Sequence, residues 1–455
     1  MTLITNNITN LNKYESSFYF FCWISAVLYS AYNVFLTSAY FNNYHDLYND
    51  FAPGWAWIGR KKDVSDQEWG ILIPLLIKLI PWIFCHHLIS YTIKAGPNRM
   101  LLCGWYIFTS VSFLWFHIGE LGALCVLIQP SILYILTYKR NKSTVWLINV
   151  LFLLIIHFLK IPGGSFQSIL KLNDEKHYIL TLTMCWIQLR SISFAIDNIQ
   201  TCSENRCNNI SRLWKNFLWG LAYCLYLPTL CLGPLILYHE FIDSIKGPFQ
   251  TWKLADLKHF ALNIIRYIFW IFFANFSLHF FYFNAMQYHV KIVEFLNPWA
   301  LYGLGYCMGQ FFLIKYVVIY GLNHTLCMID HIKAPSQPKC VARIHLYSDM
   351  WKYFDKGLNI ESLGKSAGRS KYYSNMQTKY MSPVNARRFN CILASPLLAM
   401  SVISNFYFFA GEEIGHAYVY RILHDMWHAT LVLLLFLYCC CQVSTDIKNW
   451  ELKEY

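Results

Sequence analysis

The sequence predicts an all-α protein that crosses a membrane many times. Of its 455 residues, 56% are hydrophobic and only 14% are charged, whereas about 25% of the residues in a typical soluble domain are charged. Apolar stretches of about 20 residues, the length that a helix needs to cross a bilayer, recur along the whole chain. A soluble globular protein is therefore excluded. An intrinsically disordered protein is excluded too, because the apolar fraction is too high.

We expect about ten membrane spans in a single integral membrane domain that covers residues 1–455. The first span follows a polar segment without a basic cluster, which is typical of an uncleaved helix rather than of a signal peptide. The apolar run after Pro130 is too short to cross the bilayer alone, so we expect a re-entrant or interfacial piece there. The predicted spans lie near residues 17–40, 71–93, 100–129, 144–162, 178–198, 214–238, 259–284, 299–322, 390–410 and 417–441.

Several of these stretches contain residues that a simple membrane anchor would not need. His86 and His87 lie inside IPWIFCHHLIS, and Glu120 lies inside FHIGELGALC. Pro228 and Pro234 interrupt LAYCLYLPTLCLGPLILY. Ionisable groups at membrane depth are costly unless they find partners or line a cavity, and broken helices are tolerated only inside protein or beside water. The pattern therefore predicts a helical core with broken or re-entrant helices.

One long polar segment, near residues 324–389, separates the apolar stretches. Within it, the run ARIHLYSDMWKYFDKGL places apolar and aromatic residues at spacings of three and four, which predicts an amphipathic helix at the membrane interface. Asp355 lies next to the apolar face of this helix. On the helix alone, the favoured interpretation of Asp355 is a surface carboxylate paired with Lys352 or Lys356.

The net charge of +12 is typical of a membrane protein with basic cytoplasmic loops that contact anionic lipids. Binding to nucleic acid would need a basic face on a soluble module, and no soluble stretch is long enough, so we expect no nucleic-acid partner. We find no P-loop, dinucleotide-binding, HExxH or GxSxG motif and no CxxC zinc spacing. The sequence therefore gives no indication of a nucleotide-binding site, a zinc site of these types or a serine hydrolase.

Four stretches occur in a characteristic order along the chain. They are GWAWIGRKKDVSDQEWG ending at Gly70, YLPTLCLGPLILYHEF ending at Phe241, WKYFDKGL starting at Trp351, and YMSPVNARRFNCILAS followed by ISNFYFFAGEEIGHAYVYRIL. The second stretch resembles the membrane-bound O-acyltransferase superfamily. The others resemble the hedgehog acyltransferase branch of that superfamily. The resemblance thus runs along nearly the whole chain.

The resemblance implies a multi-pass enzyme of the endoplasmic reticulum or Golgi membrane, with a tunnel through the membrane. It implies transfer of palmitate from palmitoyl-CoA to the N-terminal cysteine of a secreted signalling protein of the hedgehog type. Asp355 matches the family's catalytic-centre aspartate. Arg343 and Trp351 are candidates to line the tunnel and bind acyl-CoA, although a packing role is as good an interpretation. Cys340 matches a cysteine assigned as a haem ligand, and an ordinary interfacial or acylated thiol is the alternative.

The family also has a histidine in a Trp-His-Gly setting, after the aspartate, that is assigned as the catalytic base. After FDKGLNI the chain passes directly into ESLGKSAGRSKYYSN, which resembles the family's polar connection after this histidine. The resemblance therefore implies that about two membrane spans' worth of sequence, including the histidine, is missing between Ile360 and Glu361. His428 follows Trp427, but it falls well past the family position, so a structural role is favoured for it. A neutral histidine suits the removal of a proton from an attacking amine, and loss of such a base costs about 10²–10⁴-fold in rate.

Two other functions stay open. A catalytically silent relative, or a splice variant of an active enzyme, would bind lipid, acyl-CoA or a signalling partner without turnover. A transcript with a Trp-His-Gly segment between Ile360 and Glu361 would favour the enzyme over this alternative. A transporter is the third possibility, and it would move solute across a membrane without acyl-CoA. Against it, the broken segment around Pro228 has no counterpart in the other half of the chain.

Overall fold

The computed structural model describes residues 11–41, 49–137, 142–161, 163–204, 210–340, 354 and 380–454. These residues form helices joined by short loops, together with a small hairpin of strands β1 (Phe51–Ala52) and β2 (Lys62–Asp63). The helices are α1 (Lys13–Phe41), α2 (Gln67–Ala95), α3 (Arg99–His117), α4 (Glu120–Thr137), α5 (Lys142–Leu159), α6 (Ser165–Ile169), α7 (Asp174–Glu204), α8 (Ile210–Cys224), α9 (Tyr238–Lys246), α10 (Leu254–Ser277), α11 (Phe283–Met286), α12 (Val290–Phe295), α13 (Pro298–Ile329), α14 (Pro383–Ala410), α15 (Glu412–Tyr420) and α16 (Trp427–Glu454).

Within the described ranges, ten helices are long and apolar enough to cross a membrane, namely α1 to α5, α7, α10, α13, α14 and α16. The all-α polytopic fold is therefore confirmed. Two of the predicted spans were wrong in detail. The stretch 100–129 is two helices, because the chain breaks at Gly119, whose φ of 105° lies in the left-handed region that favours glycine. The stretch 214–238 is not a span, since α8 ends at Cys224.

The break at Gly119 also changes the interpretation of two neighbouring residues. Glu120 does not lie inside a span but begins α4, where it is exposed and where a carboxylate interacts favourably with the helix dipole. The run after Pro130 is not a separate re-entrant piece, because it forms the second half of α4 with Pro130 inside the helix. The polar segment 324–389 is also shorter than predicted, since α13 continues to Ile329 and α14 begins at Pro383.

Helix α5 shows how a span has one face buried in the protein and another exposed face that is apolar. Its buried residues, Val145, Asn149, Phe152 and Ile156, recur at spacings of four, three and four, which is one face of an α-helix. Val145 and Phe152 belong to a buried cluster with residues of α4 and α7. The other face of α5 carries exposed leucines such as Leu147. An apolar surface of this kind suits contact with lipid and would be unusual in a soluble protein.

The contacts divide the chain into two compact units. The hairpin unit consists of Met1–Gly70, Ile268–Val317 and Pro338–Tyr455, and the broken-helix unit consists of Ile71–Tyr267 and Val318–Gln337. In the hairpin unit, α14 packs against α15 and α16, and α1 packs against α16. In the broken-helix unit, α4 and α7 are the most extensive pair, with α5 and α8 beside them.

The broken-helix unit takes its name from residues 225–237, where the chain leaves α8 and runs without regular helix, apart from a short 3₁₀ turn at Leu227–Thr229, to α9. Residues 222–236 are all buried, so backbone groups freed from the helix must find partners inside the protein. Side chains of neighbouring helices supply them. Ser110 donates to the carbonyl of Leu225, Tyr223 to that of Ile236, and Asn323 to that of Gly233.

Gly233 shows why this interruption needs glycine. Its φ is 63°, and a Cβ atom there would lie 2.3 Å from the ring of Trp186. Both the backbone conformation and the contact with Trp186 therefore exclude other residues. The helix-breaking residues of YLPTLCLGPLILY thus produce the broken segment that the sequence predicts.

In the hairpin unit, a single buried carboxylate fixes the hairpin. Asp63 accepts hydrogen bonds from the backbone N–H groups of Ser65 (3.1 Å) and Ala285 (3.0 Å), and its own N–H donates to the carbonyl of Leu278 (3.0 Å). Lys62, its neighbour, donates to Asn275. Burial raises the pKa of Asp63 to about 7, although the two backbone hydrogen bonds work in the opposite direction.

This raised pKa predicts a specific pH dependence. Between the ordinary pKa of 3.8 and about 7, the folded protein holds a proton that the unfolded chain releases. The free energy of unfolding should therefore fall as pH rises through this window, by up to about 1.4 kcal/mol per pH unit from this group. The Asp63→Asn variant should lack this component of the slope when unfolding is followed in mixed micelles from pH 4 to 8. Equal slopes in Asp63→Asn and wild type would contradict the assignment, and Asp425→Asn, at an exposed position, serves as control.

Candidate functional site

Phe354 is the residue of the FDKGL motif that the structure describes, and it lies against α13 in the hairpin unit. Its ring stacks on Phe312, with centroids 5.1 Å apart and planes 10° apart. It also contacts Tyr316, with centroids 5.2 Å apart. Residues four positions apart lie on the same helix face, so Phe312 and Tyr316 form one aromatic surface. Phe354 thereby packs against the middle of a membrane-spanning helix.

A buried lysine lies between these two aromatic residues in sequence. Lys315 is 4% exposed, and its Nζ lies 3.0 Å from Oδ2 of Asp66 and 2.6 Å from Oε2 of Glu68. The hydroxyl of Tyr316 donates to Oε1 of Glu68 at 3.1 Å. Asp66 also accepts the backbone N–H of Trp69 (2.6 Å) in the first turn of α2. The ammonium is thus neutralised by two carboxylates, as burial requires.

This arrangement brings two of the four sequence motifs to one stretch of α13. The stretch GWAWIGRKKDVSDQEWG supplies Asp66 and Glu68, and WKYFDKGL supplies Phe354. Tyr316 touches both, through its hydroxyl on Glu68 and its ring on Phe354. The sequence alone does not predict that these two motifs meet, because neither motif shows that the lysine and aromatic residues of α13 are its partners.

Three of the predicted site residues, Asp355, Arg343 and Trp351, lie outside the described residues. Cys340 is a partly buried free thiol. An apolar cavity of the hairpin unit has a volume of about 160 Å³, and its lining includes Tyr306 and Cys440 but not Cys340.

His428, the substitute base suggested by the Trp-His pair, lies in the first turn of α16 and is exposed. Its ring lies against that of Trp427, with centroids 3.3 Å apart. His424 is also exposed and stacks on Tyr420.

A second cluster of polar groups lies in the broken-helix unit, and its centre is Asp330, immediately after α13. Asp330 is 3% exposed. Oδ1 accepts hydrogen bonds from Nζ of Lys94 (2.7 Å) and Oγ of Ser90 (3.0 Å), and Oδ2 accepts one from the hydroxyl of Tyr226 (2.7 Å). Burial alone would raise the pKa of the Asp330 carboxyl, but the Lys94 ammonium holds the pKa well below its usual range.

Two histidines of α2 complete this cluster. Nδ1 of His87 lies 3.1 Å from Oδ2 of Asp330, and Nε2 of His86 lies 3.6 Å from the same oxygen. Both histidines are buried. The sequence predicts that His86 and His87, as polar residues inside a span, need partners or a cavity. Their partner, Asp330, could not be predicted, because it lies more than 240 positions further along the chain.

Residues 135–360 match the model of the membrane-bound O-acyltransferase family. Curated relatives extend the similarity beyond this domain. Protein-cysteine N-palmitoyltransferase Rasp of Drosophila melanogaster is 27% identical over 428 residues, covering 80% of this chain and 82% of the relative. Protein-cysteine N-palmitoyltransferase HHAT of Mus musculus is 23% identical over 452 residues, covering 85% of this chain and 88% of the relative.

The chain belongs to the membrane-bound O-acyltransferase family. This finding confirms the resemblance drawn from the four motifs. A further relative, Protein-cysteine N-palmitoyltransferase HHAT-like protein of Mus musculus, is 24% identical over 319 residues, which cover 68% of this chain and 59% of the relative. The family match ends at residue 360, at the position where the sequence departs from the resemblance.

The two longer matches include positions of the relatives that have no counterpart in this acyltransferase-family chain. For Rasp, 80% of 455 residues is about 364, so about 64 of the 428 aligned positions have no residue in this chain. For mouse HHAT, 85% is about 387 residues, which leaves about 65 of 452 positions. Two membrane spans of about 20 residues each, with their connections, have this length.

The Asp330 cluster leads to a prediction about stability. Replacing Asp330 by Asn leaves the Lys94 ammonium buried without a counter-charge, which typically costs about 3–5 kcal/mol. The free energy of unfolding of Asp330→Asn, measured by denaturing detergent titration in mixed micelles, should fall by about this amount.

A double variant separates the charge effect from packing. Adding Lys94→Met to Asp330→Asn removes the uncompensated charge, so the double variant should be more stable than Asp330→Asn alone. Glu412→Gln, which removes a carboxylate from an exposed pair with His416, should change stability by less than about 0.5 kcal/mol. If Asp330→Asn behaves like Glu412→Gln, the buried ion pair does not stabilise the fold.

Proposed function

We propose that this protein transfers palmitate from palmitoyl-CoA to the N-terminal cysteine of a secreted signalling protein of the hedgehog type. The observation that carries the proposal is the similarity to two protein-cysteine N-palmitoyltransferases over at least 80% of the chain. The order of the four sequence motifs supports it independently. The hedgehog type of substrate and the location in endoplasmic reticulum or Golgi membranes are parts of the same proposal.

The reaction is an acyl transfer from sulfur to nitrogen. The lone pair of the substrate's α-amino group attacks the thioester carbon, and a carbon–nitrogen bond forms. The attacking nitrogen thereby becomes positively charged and releases a proton to a base. The carbon–sulfur bond breaks, and coenzyme A leaves as a thiolate. An α-amino group has a pKa of about 7.7–8.0, so a fraction of the substrate is already neutral near pH 7. The substrate's thiol is an alternative first nucleophile, followed by a shift of the acyl group from sulfur to nitrogen.

In this proposal, Asp355 orients the amine and stabilises the positive charge that develops on its nitrogen. A carboxylate of ordinary pKa is a poor base for an ammonium group, so this role is electrostatic rather than that of a general base. Phe354, the residue before Asp355 in the sequence, stacks on Phe312. Arg343 and Trp351 are proposed to contact acyl-CoA on the strength of the resemblance alone.

The proposed reaction lacks the histidine that the resemblance assigns as base. The 64 or 65 aligned positions without a residue, and the end of the family match at residue 360, support a missing segment between Ile360 and Glu361 that carries this histidine. We therefore propose that the chain as written is slower by about 10²–10⁴-fold than a form that contains the segment.

The same observation favours a second candidate function. A chain that keeps the family fold but lacks the base would bind palmitoyl-CoA or the signalling protein without efficient turnover. Such a chain would act as a silent relative that competes with an active acyltransferase for one of these partners. Binding of acyl-CoA without transfer distinguishes it from the enzyme.

The direct test is transfer of a clickable palmitoyl group to a peptide that begins with cysteine. The full chain is purified in detergent and compared with a form that carries the corresponding segment of Drosophila Rasp between Ile360 and Glu361. We expect transfer by the restored form, and a rate lower by about 10²–10⁴-fold for the chain as written. Asp355→Ala in the restored form should abolish most of the activity.

The controls distinguish the loss of a site residue from the general effect of removing a carboxylate. Asp425→Ala removes an exposed carboxylate and should leave transfer unchanged, and an N-acetylated cysteine peptide should not form the amide. If the chain as written transfers as fast as the restored form, the missing segment does not carry the base, and His428→Gln becomes the next variant. If neither form transfers palmitate while both bind palmitoyl-CoA, the silent function replaces the enzymatic one.

A further inference from the structure

The polar cluster around Asp330 contains several buried atoms that make no hydrogen bond. Among the described residues, Nε2 of His86, both ring nitrogens of His87 and the hydroxyl of Tyr106 make no hydrogen bond. His86 and Tyr106 are 0% exposed, and His87 is 6% exposed. A buried polar atom without a partner typically costs about 1–3 kcal/mol. Two of these atoms, Nε2 of His86 and Nδ1 of His87, lie 3.6 and 3.1 Å from Oδ2 of Asp330 without forming a hydrogen bond to it, an arrangement that suits a bound cation.

The hydrogen bonds of Thr109 determine which nitrogen of His86 carries the proton. The hydroxyl of Thr109 lies 3.0 Å from the carbonyl oxygen of Trp105, one turn earlier in α3, and uses its single proton there. Nδ1 of His86 lies 3.1 Å from the same hydroxyl oxygen, so Nδ1–H must be the donor. In the neutral ring, Nε2 then carries a lone pair.

Nε2 of His86 and Nδ1 of His87 both approach Oδ2 of Asp330. Nε2 of His86 and the carboxylate oxygen both carry lone pairs, so a cation between them would make their approach favourable. A proton would give a charge-assisted hydrogen bond of about 2.7–2.9 Å. The observed distance of 3.6 Å for His86 is too long for this bond, and His87 at 3.1 Å lacks hydrogen-bond geometry.

The distances fit a metal ion better. Zinc lies about 2.0–2.1 Å from imidazole nitrogen and about 2.0–2.2 Å from carboxylate oxygen, so neighbouring ligand atoms in a tetrahedral site are about 3.4 Å apart. The observed 3.1 and 3.6 Å lie on either side of this value. His86, His87 and Asp330 each offer one ligand atom, and these three atoms lie within 4.8 Å of one another.

We propose that His86, His87 and Asp330 bind a divalent metal ion of the zinc class. The ligands are Nε2 of His86, Nδ1 of His87 and Oδ2 of Asp330. Two imidazoles and one carboxylate favour zinc or a neighbouring transition metal over magnesium or calcium, which prefer oxygen ligands. The bond from Nδ1–H of His86 to Thr109 is the second contact that metal-bound histidines usually make, and it orients the ring.

The bound ion would join α2, which carries His86 and His87, to Asp330 at the end of α13. Its role would be to stabilise the broken-helix unit. Lys94 sets the strength of binding. Its Nζ contacts Oδ1 of Asp330, the carboxylate oxygen that does not bind the ion, at 2.7 Å. This positive charge repels a second cation nearby. Removing the charge should therefore strengthen metal binding, whereas removing a ligand should abolish it.

The test is the metal content of the full chain, purified in detergent with a tag that contains no histidine. The protein is stripped with a chelator, titrated with zinc chloride, desalted and analysed by mass spectrometry of the metal. We expect about one zinc ion per chain in the wild type and no retained zinc in the His86→Gln/His87→Gln variant. Thr109→Val keeps the ligands but removes the contact that orients His86, and it should bind about 10–100-fold more weakly.

Two further variants make the result decisive. His424→Gln/His428→Gln removes an exposed pair of histidines and should retain zinc like the wild type. Lys94→Met should bind zinc at least about tenfold more tightly. Elution volume and thermal unfolding of each variant establish that it is folded. A wild type that retains no zinc, or a folded His86→Gln/His87→Gln variant that retains as much as the wild type, would overturn the proposal, and so would weaker binding by folded Lys94→Met.

Discussion

The broken-helix unit depends on one constraint, which is that a charge buried among membrane-spanning helices must be neutralised by the protein itself. Asp330 and Lys94 satisfy this constraint for each other. Through Ser90 and Tyr226, the same carboxylate also joins α2 to the interrupted segment after α8. The interruption is tolerated because neighbouring side chains bind its free carbonyl groups. The hairpin unit meets the same constraint with Lys315, whose ammonium lies between Asp66 and Glu68.

Much of this architecture could be predicted from the sequence, because apolar stretches of span length leave few alternatives. The two errors have local physical causes. Gly119 divides one apolar stretch into two helices. In the stretch from 214 to 238, helix α8 ends at Cys224, and the mostly apolar residues 222–236 are buried in the protein. Sequence analysis recognised that His86 and His87 would need partners. It could not find Asp330, since only the fold brings residues so distant in sequence together.

The candidate site was predicted less completely than the fold. The motif around Phe354 was identified by resemblance, yet its anchoring on Phe312 and Tyr316 follows from the packing of α13 and from nothing in the motif. Membership of the acyltransferase family and the similarity to two palmitoyltransferases indicate a chemistry of acyl transfer. Acyl transfer by this chain needs a group that takes the amine proton, and the resemblance assigns that task to a histidine that is not found between Asp355 and Glu361. In the proposed function, efficient acyl transfer therefore depends on a whole segment rather than on a single substitution.

The central claim is that this chain is a protein-cysteine acyltransferase of the hedgehog type from which a segment between Ile360 and Glu361 is missing. Sequencing of full-length messenger RNA and of the gene across this junction tests the claim most directly. The account predicts additional coding sequence for about 64 residues, the deficit against the relatives, forming about two apolar spans with a Trp-His-Gly segment. A gene and a set of transcripts that all join Ile360 directly to Glu361 would contradict it.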